Sequence, residues 1–498
     1  MASASGHSLR LGESSAIHVN PMMEPALDDM MRKPSARMLQ GSSSGGSSYQ
    51  RRLQSVVTLI LLVVITEGLF RRLISPLSLP IFFLKDFLVA FAGLMLLFGN
   101  SHRAVRVILG FQAAILLLVS PCVVSTAMHD PLLALFGLKQ YDLYPFAGAA
   151  LCAAYLPGRK KEFLSFCHLI ACTIIPTALL ALLQQRLPAD HWLNKSPDGE
   201  SLERFSAGGQ LRVSSSFSFV SQFCMYLNAL IGYLGITAFT RVKFRKSYLA
   251  IPTLILLLLP LYLIAIYSTG SRQAVLGGAV IILAATLLLG MSRGRKHFLK
   301  LLLGAVVSFL LLGGLRLLTP QGFQAYDART PSVEGVDSTG STGAAVNRVT
   351  KALSNWVSEA ISGPFFGNGL GVMSNGTDKF SNYAAVIRSE GFWTETDPAT
   401  VVYEGGIYLL VIWYGVRSVV IVWGLIAVLR IRDSSLAAAG AFCWGPLVVV
   451  GSLGTLSIQP PLSIWWWVDF GLILCLREFD WESRYRRFQP TTHAGHIR

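Results

Sequence analysis

The sequence is poor in charge, in cysteine and in histidine for its length. Only 14% of its 498 residues are charged, and 27 of these are acidic. The seven cysteines all lie within or beside long apolar runs, and none of the nine histidines lies in the longest polar stretch, residues 319–397. Without cysteines in the polar segments, and without metal-ligand spacing, we expect no disulfide framework and no metal site. We therefore predict neither a metal nor another cofactor.

Long apolar runs dominate the chain instead. It is 52% hydrophobic with a mean hydropathy of +0.53, and runs of about 18 or more apolar residues indicate membrane-spanning helices. Because a spanning segment must satisfy its own backbone hydrogen bonds, the sequence predicts an all-α polytopic membrane protein with about 12 transmembrane helices. The twelve runs are residues 53–70, 79–98, 107–127, 133–156, 163–183, 215–239, 249–268, 273–290, 298–317, 399–429, 435–456 and 461–476.

The two ends of the chain differ from this apolar middle. Residues 1–50 are rich in Ser, Gly, Met and Arg and cannot pack a core, so we expect a disordered tail there. Residues 51–480 would form one membrane domain that includes the long polar loop 319–398. Residues 481–498 would form a second tail.

The formal net charge of +15 follows the expected topology. Basic residues gather in the short connections after every second run, for example at Arg103 and Arg106 and at residues 159–161. The positive-inside rule then predicts both termini in the cytoplasm and the loops 184–214 and 319–398 on the outer face. Because topology explains most of the basicity, we expect the lipid bilayer and not nucleic acid as a partner.

The long outer loop, which precedes the tenth run, contains local patterns of its own. Apolar residues at steps of three and four between Val346 and Ala360 predict an amphipathic helix. The glycine-rich run from Pro364 to Gly371 has no preceding strand, so we interpret it as a turn and not as a phosphate loop. Asp397 followed by Pro398 predicts a helix start, with Asp397 as the N-cap.

Several charges lie inside or next to predicted spans. Glu395 would stand at the water–membrane boundary and Glu404 about two turns deeper. A carboxylate in a span, such as Glu404, is energetically costly and indicates a functional site. The position of Glu395 is also compatible with an ordinary solvated acid in the loop. Lys85 and Asp86 are adjacent on a helix and do not face each other, so we expect neighbouring helices to neutralise each of them.

A set of arginines lies on the predicted outer face, against the positive-inside pattern. Guanidinium groups bind phosphate oxygens through paired hydrogen bonds, so convergence of these arginines would indicate a site for an anion. The alternative interpretation is that these arginines are ordinary solvated surface charges. The set comprises Arg71, Arg72, Arg212, Arg272, Arg348 and Arg388.

Seven short segments together carry a resemblance to a known family. They are Glu67–Arg72, Phe82–Asp86, Gly137–Tyr144, Arg212–Ser218, Thr269–Arg272, Gly367–Gly371 and the Glu404-Gly-Gly element. Their order over roughly residues 52–480 resembles the O-antigen polymerase and O-antigen ligase superfamily, and most closely its exopolysaccharide branch. One departure concerns the His-Asn pair that the ligases carry nine residues before the glutamate of their Glu-x-Gly element. Glu395-Thr396 occupies that position here, which favours a polymerase.

The resemblance implies a GT-C-like bundle in the bacterial inner membrane with a periplasmic active site. The implied activity is metal-independent, inverting transfer of a polyprenyl-diphosphate-linked oligosaccharide onto a second lipid-linked glycan, with a chain-length regulator and a flippase as partners. For this chemistry we assign Glu395 as general base and Arg272 with Arg212 as diphosphate clamps. Glu404 would position an arginine or the acceptor. The remaining members of the diphosphate-binding set are Arg388, Arg348 and Arg72.

Two alternatives remain open at this point. A ligase would move the glycan to a lipid A core or to a protein side chain. A transporter of lipid-linked sugars would belong to a different class, although we find no internal repeat of the kind that many transporters show.

Overall fold

A computed structural model describes most of the predicted membrane domain. The described residues are 44–99, 102–197, 199, 206, 211–240, 251–293, 313–314, 316–317, 320, 323, 354, 356–357, 360–374, 376–389 and 396–488. The chain divides into two compact units, Met1–Ser48 and Tyr49–Arg498, and the described residues from Tyr49 onward belong to the second. Glu395 and Arg348 lie outside the described residues, as do most of the two predicted tails.

Helices account for nearly all of the described structure, and these residues contain no β-strand. Fourteen α-helices have defined bounds: α1 (Ser44–Leu73), α2 (Ser78–Leu97), α3 (Arg103–Ala127), α4 (Pro131–Asp142), α5 (Pro145–Tyr155), α6 (Lys160–Cys172), α7 (Ile174–Arg186), α8 (Val220–Phe239), α9 (Ile251–Ser268), α10 (Arg272–Arg293), α11 (Asn382–Ser389), α12 (Asp397–Leu429), α13 (Ser434–Leu453) and α14 (Pro460–Phe488).

Eight segments in the described part of the chain are helical, long and apolar enough to cross a membrane. They correspond to eight of the twelve predicted runs, and they make this an all-helical, multi-pass membrane protein. The predicted run 133–156 is instead two short helices, because Pro145 starts α5 and cannot continue α4. The run 298–317 lies almost entirely outside the described residues.

The core is built around α8 and α13. In the most apolar 18-residue segment of each helix, 78% of α8 and 72% of α13 is buried inside the protein, compared with 28% of α3. Gly235 lets α8 and α13 approach closely, since a Cβ at that position would lie 2.4 Å from Phe442 Cβ. Lipid supplies no hydrophobic drive for helix association, so close packing at small residues has to hold such helices together.

Helix α12 folds back on itself. Residues twenty positions apart in a straight helix are separated by about 30 Å, yet Arg417 Nη2 lies 2.5 Å from Asp397 Oδ2. The reversal occurs at Gly406, whose φ of 66° and ψ of −168° are not helical. The predicted N-cap role of Asp397 is wrong: Thr396 holds that position without a side-chain hydrogen bond, because the Asp397 carboxylate is engaged by Arg417 and by Ser457.

Candidate functional site

The segment Arg212–Ser218, called the serine segment below, lies buried between α1 and α7. Its last six residues are at most 4% exposed. On the α1 side, Leu69 N donates to Ser216 O (2.8 Å). On the α7 side, the Gln184 amide binds both backbone groups of Ser215, at 2.7 and 3.3 Å. These contacts hold Ser215 at φ 51°, a conformation that is strained for a residue other than glycine.

Arg72 fixes the serine segment from the end of α1. Its Nη1 donates to Ser215 O (2.8 Å), and its Nη2 donates to Ser214 Oγ and Phe217 O (both 2.5 Å). Both terminal nitrogens of this guanidinium therefore already have partners within the chain. The geometry gives Arg72 a positioning role for the segment that Arg212 begins.

Buried charges on α1 also connect this helix to the serine segment and to α2. Glu67 pairs with Arg71 Nη1 at 3.4 Å, and Arg71 Nη1 also donates to Ser218 Oγ (3.2 Å). Arg71 Nε donates to Ser78 Oγ at the start of α2 (3.0 Å). Arg71 thus joins α1, α2 and the serine segment through one guanidinium group.

Lys85 and Asp86 of α2 find partners on different helices, as the sequence predicts. Lys85 Nζ lies 2.9 Å from Glu67 Oε2. Asp86 pairs with Lys139 Nζ on α4 (2.7 Å) and accepts a hydrogen bond from Tyr144 OH (3.0 Å). Because each buried charge has an opposite charge close by, their mutual attraction offsets part of the desolvation penalty of burying them.

Arg212 reaches the turn between α9 and α10. Its Nε donates to Thr269 O (3.4 Å), and Ser271 N donates to Thr269 Oγ1 (3.0 Å). Gly270 permits this turn because its φ of 58° is readily adopted only by glycine. Arg272, half-buried, is the first residue of α10. Both arginines assigned as diphosphate clamps are therefore brought to one helix N-terminus, where backbone N–H groups and the helix dipole favour an anion.

The glycine-rich stretch Pro364–Ser374, called the glycine loop below, is held by Glu404. This carboxylate is fully buried and accepts from Tyr141 OH at Oε2 (2.8 Å) and from Met373 N at Oε1 (3.0 Å). Gly369 N adds a hydrogen bond to Glu404 O (3.0 Å). In the described structure, the group that Glu404 positions is the glycine loop.

Glycines allow the glycine loop to pack against the reversal of α12. A Cβ on Gly367, whose φ is 67°, would lie 2.4 Å from Gly405 N. A Cβ on Gly406 would lie 2.0 Å from Phe365 O. The Gly367–Gly371 and Glu404-Gly-Gly segments therefore meet backbone to backbone, which only glycine permits at these positions.

Arg388 on α11 is partly exposed and lies next to the glycine loop. It pairs with Asp378 (3.1 Å) and donates to Ser374 O (3.2 Å). The turn that starts α4 contacts the same region, since Ser381 Oγ donates to Asp130 Oδ2 (2.5 Å). This hydrogen bond, with two backbone N–H groups of α4, holds the pKa of Asp130 below its ordinary value.

The structure groups the sequence-predicted residues into two places. Arg72, Arg212 and Arg272 lie at the serine segment and the α10 N-terminus, whereas Glu404 and Arg388 lie at the glycine loop.

Tyr141 and Lys139 lie in the segment Gly137–Tyr144 that carries the resemblance, but the sequence did not identify Glu404 and Asp86 as the carboxylates that they bind. Sequence reasoning also missed the pairing of Asp397 with Arg417. The available signal was an arginine inside an apolar run, which requires a buried partner but does not identify it.

No protein-family model and no curated protein matches the chain. The described residues contain no group of three or more His, Cys, Asp and Glu side chains placed to hold a metal ion.

Proposed function

We propose that this protein is a membrane glycosyltransferase that polymerises glycan at the periplasmic face of the bacterial inner membrane. It transfers a polyprenyl-diphosphate-linked oligosaccharide onto a second lipid-linked glycan. The observation that carries the proposal is the meeting of Arg212 with the turn that ends at Arg272. A departing diphosphate needs cations and N–H donors, and this helix start offers both. The resemblance to O-antigen polymerases supports the same assignment.

In this proposal the reaction is a single displacement that inverts the anomeric carbon. The acceptor hydroxyl oxygen bonds to that carbon while the bond from the carbon to the diphosphate oxygen breaks. Glu395 takes the hydroxyl proton as general base. The diphosphate leaves with the electron pair and is held by Arg272 and Arg212. No metal is required in this scheme, because guanidinium groups neutralise the leaving group.

Other residues of the proposed site act through their neighbours. Arg72 positions Arg212 by holding the serine segment, and Glu404 positions the glycine loop. Arg388 and Arg348 supply further positive charge for the diphosphate from the long outer loop.

The proposed architecture is a GT-C-like bundle of about twelve spans with both termini in the cytoplasm. Eight membrane-length helices and the basic short connections support it. A chain-length regulator and a flippase are the proposed partners, since the donor must cross the membrane before transfer.

Polymer-length analysis tests the assignment in cells whose own copy is replaced by a variant. We expect Glu395→Gln and Arg272→Ala each to reduce polymer on the order of a hundredfold, with Arg272→Lys intermediate because lysine keeps the charge and loses paired hydrogen bonds. Arg186→Ala is the matched control, because Arg186 is an exposed arginine next to Gln185, which contacts Ser268. Wild-type polymer lengths in Glu395→Gln and Arg272→Ala at normal membrane levels would refute the assignment.

Product analysis separates polymerisation from the two alternatives. A polymerase leaves its product on polyprenyl diphosphate, whereas a ligase moves it to a lipid A core or a protein, which mass spectrometry of the acceptor distinguishes. Uptake of labelled lipid-linked sugar into proteoliposomes without polymer growth would instead identify a transporter.

A further inference from the structure

A second group of arginines, apart from the proposed site, lies at the start of α3, at the end of α12 and on α14. The basic cluster consists of Arg103 at the first residue of α3, Arg430 at the C-cap of α12, and Arg477 and Arg484 on α14. Arg430 is exposed and the other three are half-buried.

Asp480 of α14 holds the turn after α12 in place. Its carboxylate accepts from Arg432 N (3.0 Å) and Asp433 N (2.9 Å), and it pairs with Arg484 (3.1 Å). Its two oxygens are therefore already engaged by the turn and by one arginine of the cluster. These contacts fix the turn after α12, which follows Arg430, to α14, which carries Arg477.

The start of α3 also lies near α14. His102 caps α3 by accepting from Ala104 N at Nδ1 (3.3 Å), and Glu478 of α14 acts electrostatically on its ring. Burial lowers the pKa of the half-buried Arg477, the like charges of Arg430, Arg103 and Arg484 lower it further, and Glu478 raises it. The electrostatic influence of Arg430, Arg103 and Arg484 on Arg477 indicates that the four guanidinium groups lie close together.

We propose that the basic cluster binds the headgroup phosphate of an anionic phospholipid. Guanidinium groups bind phosphate oxygens through paired hydrogen bonds, and basic pockets between the ends of membrane helices suit anionic headgroups. The positive-inside rule assigns this cluster to the cytoplasmic leaflet.

The surface beside the cluster favours a lipid over a soluble phosphate. Val422, Ile426 and Leu429 of α12 are 53%, 36% and 50% exposed, and they lead along the helix to Arg430. An acyl chain can lie along this apolar strip while its phosphate contacts the arginines. A free phosphate would use the arginines alone.

Native mass spectrometry of the full-length protein tests the proposal. The protein is reconstituted in nanodiscs of phosphatidylcholine with a minor fraction of phosphatidylglycerol, and the retained phosphatidylglycerol is counted after release. We expect retention to weaken about 25-fold in Arg430→Gln/Arg477→Gln, because each basic residue near an anionic headgroup contributes about fivefold. Arg430→Gln alone, which changes an exposed side chain, should weaken it about fivefold.

The matched control is Lys160→Gln/Lys161→Gln, which removes two charges from another basic connection, at the start of α6. Unchanged retention in this control supports a specific site, whereas an equal loss would show general surface attraction and overturn the proposal. Retention equal to that of the unaltered protein in the arginine variants would also overturn it. Displacement of phosphatidylglycerol by millimolar inorganic phosphate would show a soluble-anion site instead.

Discussion

The fold-back of α12 rests on a buried ion pair whose removal should be strongly destabilising. The side chains of Arg417 and Asp397 are each 1% exposed, and their closest atoms lie 2.5 Å apart. Arg417 Nη1 also donates to Gly451 O (3.3 Å), and Ser457 Oγ donates to Asp397 Oδ1 (2.7 Å). Arg417→Met removes the cation while keeping most of the side-chain volume, and Asp397→Asn removes the anion while keeping the shape.

Each single substitution leaves a buried charge without its opposite. Breaking a buried pair in this way costs about 3–5 kcal/mol in the free energy of unfolding. The double variant leaves no unpaired charge, so we expect it to lose clearly less than the sum of the two single changes. A coupling energy of about 2–3 kcal/mol would be in the range found for residues in direct contact.

Reversible denaturant unfolding in detergent micelles measures all four proteins of this cycle. Arg186→Met is the control, because Arg186 is exposed at the end of α7 and its replacement should change stability by at most about 0.5 kcal/mol. Two results would show that the ion pair does not hold the fold-back. Either the losses in the free energy of unfolding of the two single variants add in the double variant, or Arg417→Met lowers that free energy by less than about 1 kcal/mol.

Three further predictions follow from the site and its surroundings. Gly406→Ala should prevent accumulation of folded protein, because its Cβ would lie 2.0 Å from the carbonyl oxygen of Phe365. Gly415→Ala on the same helix is the control: its Cβ meets no atom within 4 Å, so it should be neutral. Fluorescence-detected size-exclusion chromatography compares the amounts of folded protein. Tyr141→Phe removes the hydroxyl that donates to Glu404 and should cost about 1–3 kcal/mol in denaturant unfolding, while Glu404→Gln should cost less because its amide keeps an acceptor for the glycine loop. Burial lowers the pKa of His102 below its ordinary 6.5. Because the unfolded chain then takes up the proton at higher pH than the folded protein, stability should fall as the pH drops below about 6.5. His102→Asn, which can still cap α3, should flatten that part of the plot of melting temperature against pH, and an unchanged plot would contradict this cause.

The helical membrane character was predictable because apolar length alone decides it. Runs such as 53–70 and 107–127 lie within α1 and α3, since a chain in lipid has no alternative to internal hydrogen bonding. The neutralisation of Lys85 and Asp86 by different helices was predictable on similar grounds. Adjacent helix positions point in different directions, and each buried charge needs a partner.

The reversal at Gly406 was not predictable from the same patterns. Residues 399–429 form a single apolar run, and two adjacent glycines are compatible with an ordinary membrane helix. The reversal depends on long-range contacts that hydropathy does not encode. They are the pairing of Asp397 with Arg417 and the packing of Phe365 against Gly406.

Within the candidate site, the arrangement of the predicted arginines was predictable only in part. Convergence of Arg212 and Arg272 was expected from chemistry, and the structure brings Arg212 to the turn that precedes Arg272. The engagement of Arg72 by carbonyl and hydroxyl groups of the serine segment was not expected, because backbone acceptors leave no mark in a sequence. One of the two partners of the Glu404 carboxylate was missed for the same reason, since Met373 contributes its backbone N–H.

The fold-back of α12 also constrains the order in which the protein can be assembled during synthesis. Asp397 leaves the ribosome twenty residues before Arg417, the residue that neutralises it. Until that arginine emerges, the first part of α12 carries a bare carboxylate that lipid does not accept at low cost. We therefore expect this part to enter the bundle together with the helix that follows it, as one hairpin.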